Sequence, residues 1–402
     1  MGSNRFYTPD GFCDVMSDSV EVKRELESNL RELFRLHGYK EIETPGIEYC
    51  DVYTDNEFVE EQDLYKLCDQ KGRLICLRYD GTVPAARFAA TMLKDVNPPL
   101  RLCYIENMYR YNQVGGGKQS EFTQAGVELM GVKGSASDAE VIALAIKSAL
   151  AIGIEDFQIS IGQIKLFEGL MRQLGIGEEL AKKISDSIYC KDMVTIERIC
   201  KENNLTANDI EAIMLISEGR GTYDLLDEMK SKLTDESAIN AIENLREILD
   251  ILNDYGLSKY VTVDLGLLSG LDYYTGMIFK GFTYEVGFPI ISGGRYDNTV
   301  KVFGREMESV GFSLGLSLAM TALRRQGKTV PEKKIDAIIG YDKNIKGARA
   351  GAFALAEELM GKGSSVIIDS MGMSEEELDS YAEANEICAC FYVNEEPEGG
   401  ND

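Results

Sequence analysis

The strongest constraint on the fold is a long, purely helical stretch that lies between segments with strand-like patterns. Over residues 164–255 apolar residues recur at helical spacing, and no segment alternates convincingly between apolar and polar residues. Strand-like patterns precede this stretch and return after it, at residues 73–79, 101–110, 121–131, 157–161, 260–265 and 277–286. This order differs from the regular alternation of a doubly wound sheet. It predicts an α+β fold in which an antiparallel sheet is flanked by helices and carries a helical insertion.

A second break divides the chain near its C-terminal end. Residues 327–334 interrupt the pattern, and residues 335–393 then alternate strand, helix, strand, helix and strand. This alternation predicts a small α/β domain with a parallel sheet. We therefore expect a core of residues 1–326 with an insertion at about 164–255, an α/β domain of residues 335–393 and an acidic tail of residues 394–402.

Charge and hydropathy narrow the classes of function. The formal net charge of −25 argues against a general nucleic-acid binder, because phosphates are met by Lys and Arg, although a local basic groove is compatible with this total. No apolar run reaches the ~18 residues that span a bilayer, and the first residues lack an apolar signal core. We expect a cytoplasmic protein with no membrane segment.

Cysteine and histidine usage gives no sign of a metal centre. The nine cysteines are odd in number and form no C-x-x-C motif, which indicates free thiols in a reducing compartment. The single histidine, His37, cannot supply a histidine-based zinc site, and a role at a helix end explains it better than catalysis. We expect neither a metal nor a cofactor.

Several polar side chains occur on or beside the strand-like segments. Gln124 and Glu128 are four residues apart, so on a strand they would share one face. Asp80 and Thr82 follow one strand and Arg110 ends another. Carboxylates together with an arginine can bind the ammonium and carboxylate groups of an amino acid. The same spacing also fits a solvated sheet face with a surface ion pair, and spacing alone leaves both interpretations open.

One further extended segment is expected before these strands. Residues 41–48 follow the first amphipathic helix and look extended. Pro45 lies within this segment, and it predicts a position at a sheet edge or at a bulge because proline cannot donate a ladder hydrogen bond.

Five longer motifs carry a family resemblance. Over residues 7–325 the chain resembles the class II aminoacyl-tRNA synthetase core, and specifically histidyl-tRNA synthetase. Three of these motifs are similar to the class II motif regions and two to histidine-specific signatures. They are F-R-L-H-G-Y-K-E-I-E-T-P ending at Pro45, the region from Ile105 to Gly131, G-F-S-L-G-L at 311–316, G-L-D-Y-Y-T-G at 270–276 and S-G-G-R-Y-D at 292–297.

The resemblance implies that the residues which bind histidine in that family are largely retained here. Asp80 stands in place of a glutamate and is one methylene shorter, and Arg110 matches the arginine that touches the amino-acid carboxylate and the α-phosphate. The implied histidine-binding residues are Asp80, Thr82, Arg110, Gln124, Glu128, Tyr273, Tyr274 and Tyr296.

The positions that serve ATP in the family differ. Ser269 replaces the arginine used at the reacting phosphate, and Lys118 is the one cation kept in the loop of the second motif. Other family charges are replaced by Asn112, Gln113, Ser120, Ser317 and Leu318. Adenylyl transfer depends on cations directed at developing negative charge, so we expect no activation chemistry and no catalytic residue.

A chain that retains the histidine pocket and lacks the ATP-side charges resembles the regulatory subunits of ATP phosphoribosyltransferase. That resemblance implies a role in the first step of histidine biosynthesis with a short-form catalytic subunit, and feedback inhibition by histidine as effector. It also implies a homodimer within a larger hetero-oligomer. The C-terminal segment resembles a shortened anticodon-binding domain, which argues against tRNA as a partner. The alternatives are a divergent histidyl-tRNA synthetase and a histidine-binding protein with a different partner.

Overall fold

The computed structural model describes residues 6–55, 58–111, 119–203, 205–268, 274–328 and 334–395, which form two compact units that separate at residues 329/330. Its strands are β1 (Lys40–Glu41), β2 (Ile47–Tyr49), β3 (Lys66–Cys68), β4 (Leu74–Leu77), β5 (Leu100–Tyr109), β6 (Glu121–Met130), β7 (Phe157–Gln163), β8 (Arg220–Gly221), β9 (Val261–Asp264), β10 (Met277–Thr283), β11 (Ile291–Arg295), β12 (Ser309–Gly315), β13 (Ala337–Tyr341), β14 (Val366–Ile368) and β15 (Ala389–Val393).

The helices lie around these strands, and none of those described is both long and apolar enough to cross a membrane. They are α1 (Ser17–Leu36), α2 (Asp51–Thr54), α3 (Thr82–Thr91), α4 (Ser135–Ala151), α5 (Ile164–Gln173), α6 (Glu178–Tyr189), α7 (Met193–Glu202), α8 (Ala207–Glu218), α9 (Tyr223–Ser231), α10 (Glu236–Asp254), α11 (Thr299–Val302), α12 (Leu316–Arg325), α13 (Ala348–Gly361) and α14 (Glu375–Ala384).

A nine-stranded sheet forms the centre of the first unit. Its strand order is β1-β5-β6-β12-β11-β10-β7-β9-β8. Every pair from β5 to β7 along this order is antiparallel, and the parallel pairs are β1–β5 and β7–β9 nearer its edges. The predicted fold class, a mainly antiparallel sheet with flanking helices, is therefore confirmed.

Helix α1 shows how the sequence pattern produces packing. Its buried side chains Leu26, Leu30 and Phe34 recur every four residues and therefore lie on one face. That face joins a core cluster which includes Phe312 of β12 and Ile142 of α4. Burying each such side chain contributes roughly 1.5–3 kcal/mol.

The helices that follow β7 share this same core. Ile184, Ile213 and Ile242, from α6, α8 and α10, belong to the cluster that contains the sheet residues. The helical insertion is thus packed onto the sheet through a continuous apolar core. The short strand β8, which pairs with β9, interrupts its helices and was not predicted.

The second unit is a three-stranded parallel sheet in the order β14-β13-β15. Successive residues of β13 point to opposite faces, so Ile338 packs with Leu378 of α14 while Ile339 packs with Ala352 of α13. The predicted α/β pattern of this segment is confirmed as part of the fold class.

The segment around Pro45 lies at sheet edges, as the sequence predicted, but it is not one continuous extended stretch. A single extended stretch was expected there, and the structure instead has two short strands in two different sheets, β1 and β2. Pro45 lies between them and has no N–H to donate to a ladder, so pairing stops on both sides. Strand β2 joins β4 and β3 in a separate antiparallel sheet.

Candidate functional site

Glu128 lies at the centre of a buried polar site. It is fully buried on β6, and its Oε1 accepts hydrogen bonds from Thr82 Oγ1 at 2.8 Å and from the hydroxyl of Tyr104 at 3.2 Å. Its Oε2 accepts the hydroxyl proton of Tyr296. Four elements therefore converge on one carboxylate: β5, β6, the start of α3 and the residue that follows β11.

Burial controls the charge of this carboxyl group. Removal from water and, to a smaller extent, the nearby Asp80 carboxylate raise the pKa of Glu128 to about 8, although the hydroxyl donors oppose the shift. Burial therefore favours the protonated form of Glu128 at neutral pH. A ligand cation would favour its ionised form.

Asp80 is the second buried carboxylate of the site. Its Oδ1 accepts the backbone N–H of Val83 at 3.1 Å at the start of α3, and its Oδ2 has no hydrogen-bond partner among the described residues. Burial raises the pKa of Asp80 to about 6, an effect which Arg110 and Arg78 partly offset. A buried acceptor without a donor is costly, so this oxygen is suited to a donor group of a ligand.

Arg110 lies at the end of β5 with its guanidinium between two aromatic rings. It is 4.7 Å from the ring centroid of Tyr79 and 5.1 Å from that of Phe122, and its Nε donates to the carbonyl oxygen of Tyr79 at 3.3 Å. These contacts hold the charged group in a defined orientation. Tyr79, whose carbonyl oxygen Arg110 contacts, directly precedes Asp80 in the chain.

Gln124 shares a sheet face with Glu128. Both lie on β6, opposite Gly315 and Gly311 of β12 in the strand register, and Gln124 is half-buried. The predicted common face of these two side chains is present in the structure. This face lies inside the protein and is not the solvated surface that spacing alone allowed.

Tyr274 packs against the cluster that contains Tyr296 and Tyr53. Its ring lies against Gly294, where a Cβ atom would come within 2.8 Å of it. Tyr273 is outside the described residues, as are Ser269, Asn112, Gln113 and Lys118.

The sequence analysis missed Tyr104. Its ring fills the space over Gly81 and Gly126, where any Cβ would overlap it, and Gly126 is its direct partner across the β5–β6 pair. Gly126 lies between Gln124 and Glu128 on the same strand face, and a glycine at such a position indicates that a large side chain lies opposite. That this side chain is Tyr104 could be found only from the register of β5.

The ATP-side positions that the structure describes carry no positive charge. Leu318 packs on the main apolar core, and Ser317 Oγ lies 3.5 Å from the backbone nitrogen of Thr123. Ser120 is buried against Gly11, whose carbonyl oxygen accepts its N–H at 2.8 Å. These side chains pack or cap locally and cannot stabilise a phosphate by charge.

Two other arginines, Arg78 beside the site and Arg295 of the S-G-G-R-Y-D motif, have structural partners. Arg78 is paired with Glu106 at 2.7 Å, and Arg295 binds Asp138 through Nε at 3.0 Å. All four side chains have little exposure, so these ion pairs tie elements of the fold together. Within the part of the chain that is described, no group of three or more His, Cys, Asp or Glu is placed to hold a metal ion.

Comparison with known proteins places this chain in a family. A family model described as histidyl-tRNA synthetase matches residues 11–318. An ATP phosphoribosyltransferase regulatory subunit of Acetivibrio thermocellus is 44% identical over 383 residues, which cover 95% of this chain and 91% of that protein. A protein of the same name from Ruminiclostridium cellulolyticum is 40% identical, with 97% of this chain and 93% of that protein covered.

A solved structure has the same architecture. It is described as an ATP phosphoribosyltransferase regulatory subunit/histidyl-tRNA synthetase from Bacillus halodurans, and it is 31% identical with a TM-score of 0.87. The match covers 98% of this chain and 99% of that one, so it includes the sheet, the inserted helices and the C-terminal unit.

Proposed function

We propose, from the premise that this chain belongs to the histidyl-tRNA synthetase family and within it to the ATP phosphoribosyltransferase regulatory subunits, that it serves the first step of histidine biosynthesis. It is a non-catalytic subunit, and its partner is a short-form ATP phosphoribosyltransferase catalytic subunit. The reaction condenses ATP with phosphoribosyl pyrophosphate, and we expect it in the cytoplasm.

Histidine is the effector that the site fits best. The observation that carries this proposal is the fully buried Glu128, whose three hydroxyl partners include Tyr296 of a histidine-specific motif. Asp80 adds an unpaired acceptor oxygen and Arg110 a fixed cation, which suit the ammonium and carboxylate of an amino acid. Gln124, Thr82, Tyr273 and Tyr274 complete the proposed histidine-binding set.

The chemistry of amino-acid activation is not supported. Ser120, Ser317 and Leu318 replace positions where the synthetases use charge, and their side chains are engaged in local packing. Without cations that stabilise a transferring phosphoryl group, bound histidine would remain unreacted. Binding without reaction is the property of a sensor.

Feedback inhibition requires that histidine binds two assembly states with different affinity. The site is suited to this because its residues come from elements with different neighbours. Thr82 begins α3 and Tyr296 follows β11, and both hydroxyls meet on Glu128. A shift of either element therefore changes the pocket.

Reconstitution tests this proposal directly. A short-form catalytic subunit is assayed alone and with this chain. We expect activity to require the mixture and to fall when histidine is added. The variant Glu128→Gln should still support activity but should require at least tenfold more histidine for inhibition, because charged hydrogen bonds are worth about 1.5–3 kcal/mol.

Two outcomes would overturn the assignment. A catalytic subunit that is equally active alone removes the regulatory role. Histidine-dependent pyrophosphate exchange by this chain at ordinary synthetase rates would establish the rival function of a divergent histidyl-tRNA synthetase.

A further inference from the structure

A second polar cavity, separate from the Glu128 site, lies between the inserted helices and the sheet. Its volume is about 700 Å³, and it is bounded by the end of β7, the start of α10, the start of α4 and the residues that follow β11. Cavities of roughly 300–1,000 Å³ are typical of small-molecule sites. The proposed histidine site does not use these lining residues.

Gln163 provides the observation that points to a ligand. It lines the cavity and is only 6% exposed. Its Nε2 donates to Asn244 Oδ1 at 2.7 Å, while its Oε1 has no hydrogen-bond partner among the described residues. A buried amide oxygen left without a donor costs about 1–3 kcal/mol, and a bound donor would recover this.

The orientation of the Gln163 amide follows from its neighbours. Asn244 has one donor nitrogen, Nδ2, and one acceptor oxygen, Oδ1, and these two atoms have different partners. The nitrogen donates to Ser135 Oγ at 2.9 Å. Asn244 Oδ1 therefore faces Gln163, which must donate through Nε2, and the free atom of Gln163 is its acceptor oxygen.

The net charge of the lining residues indicates which kind of hydrogen-bond donor a ligand would carry. Carboxylates outnumber cationic side chains five to three among the residues that line the cavity. Arg295 is paired with Asp138 and Asp297, and Arg172 with Asp235, while Glu308 is paired with Lys133, which lies outside the lining. An unpaired acceptor inside a lining with excess negative charge favours a ligand with positively charged N–H groups.

We propose that this cavity is a binding site for a small organic cation with amine or guanidine donors. One N–H of the ligand would bind Gln163 Oε1, and a second cationic group would lie near Asp297 and Glu308, which also line the cavity. The site is built from residues of this chain alone and does not depend on the proposed histidine effector.

Calorimetry with agmatine and putrescine tests the proposal on the full-length chain, with citrate as an anionic probe of similar size. We expect saturable binding of at least one amine and none of citrate. Gln163→Met removes the acceptor at similar volume and should weaken amine binding roughly tenfold or more. Gln158→Met, an exposed glutamine on the same strand, is the matched control and should leave amine binding unchanged.

Glu308→Gln is a second variant at a less buried position, where folding is not at risk, and it should weaken amine binding severalfold. Circular dichroism and thermal unfolding of each variant show that its fold is intact, and neither measurement depends on the first proposal. Absence of amine binding to the wild-type chain, preferential binding of citrate, or amine binding that Gln163→Met and Glu308→Gln both leave unchanged would overturn the inference.

Discussion

The buried Glu128 carboxyl makes the stability of the folded protein depend on pH. Burial raises its pKa from 4.5 to about 8, so between these values the folded protein binds more protons than the unfolded chain. The free energy of unfolding therefore falls as the pH rises through this window. The shift of Asp80 from 3.8 to about 6 acts in the same direction at lower pH.

Histidine binding should release protons near neutral pH. A ligand ammonium favours the ionised forms of Glu128 and Asp80, so their protons leave on binding and histidine affinity rises between pH 6 and 8. Calorimetry in buffers of different ionisation enthalpy measures the number of protons released. Glu128→Gln should bind histidine at least tenfold more weakly and release fewer protons. Proton uptake, or equal release by the variant, would contradict this account.

Residues of one motif divide between pocket and scaffold. In S-G-G-R-Y-D, Arg295 binds Asp138 while its neighbour Tyr296 binds Glu128, because successive residues of an extended chain point to opposite sides. Motif resemblance grouped these residues. Only the structure shows that Tyr296 shapes the pocket while Arg295 holds β11 to α4.

Strand β12 leaves room for the Glu128 side chain because its residue 311 is a glycine. Gly311 lies directly opposite Glu128, and a Cβ there would overlap Glu128 Oε2 and come within 2.5 Å of the carbonyl oxygen of Val127. Backbone cannot move aside cheaply, so this position requires glycine for close approach. At Gly315, on the same strand, a Cβ would lie 3.7 Å from its nearest neighbour, the flexible Leu318 side chain.

Alanine substitutions at these two glycines should differ sharply. Gly311→Ala should lower the free energy of unfolding by about 1–3 kcal/mol and abolish measurable histidine binding. Gly315→Ala is the matched control and should change stability by about 0.5 kcal/mol or less. Urea unfolding and calorimetry measure both effects. Equal behaviour of the two variants would show that Glu128 does not need the space above residue 311.

The ion pair between β11 and α4 should be costly to break. Asp138→Asn leaves the buried Arg295 with Asp297 at 3.3 Å as its remaining carboxylate, and we expect a loss of about 3 kcal/mol in the free energy of unfolding. Glu179→Gln breaks an exposed pair with Lys183 and should cost less than about 0.5 kcal/mol. Thermal and urea unfolding measure the free energy of unfolding of both variants. A small effect of Asp138→Asn would mean that the carbonyl oxygens around Arg295 suffice.

At the scale of the whole molecule, the described residues include a sheet face with exposed apolar side chains. In the sheet of β2, β4 and β3, Ile47 and Tyr49 lie opposite Leu77 and Ile75, and Leu67 also lies opposite Ile75, so all five share a face. Ile47, Tyr49 and Leu67 are each about half exposed. Contiguous apolar patches of this kind often mark interfaces, and we propose that this face is the contact of the homodimer which the family resemblance implies.

Charge placed on this face should separate the copies. Ile47→Lys combined with Leu67→Lys is expected to convert a dimer to monomers in sedimentation velocity, because lysine ammonium groups would have to be desolvated in the interface. Val194→Lys, at a highly exposed valine of α7, is the control and should remain dimeric. A dimer that persists in the double variant would place the interface elsewhere.

The proposed histidine site and this apolar sheet face are close along the chain. Strand β4 ends at Leu77, and Asp80 follows three residues later at the start of α3. Association that moves β4 would therefore change the position of Asp80. This offers a short physical route between assembly and histidine affinity.

Local sequence was sufficient for most of the elements and for the family. Helix α1, the β5–β6 pair, the helical insertion and the alternating C-terminal unit follow from apolar periods that depend on neighbouring residues only, and the motifs identified the family through consecutive letters. The two strands around Pro45, the role of Tyr104, the cavity at Gln163 and the shared face of Ile47 and Leu67 were decided by the tertiary structure. Each depends on strand register or on contacts such as that of Tyr296 with Glu128, which lie 168 residues apart. Periodicity carries no information about which distant residue a side chain meets, because that choice is made when the sheet assembles.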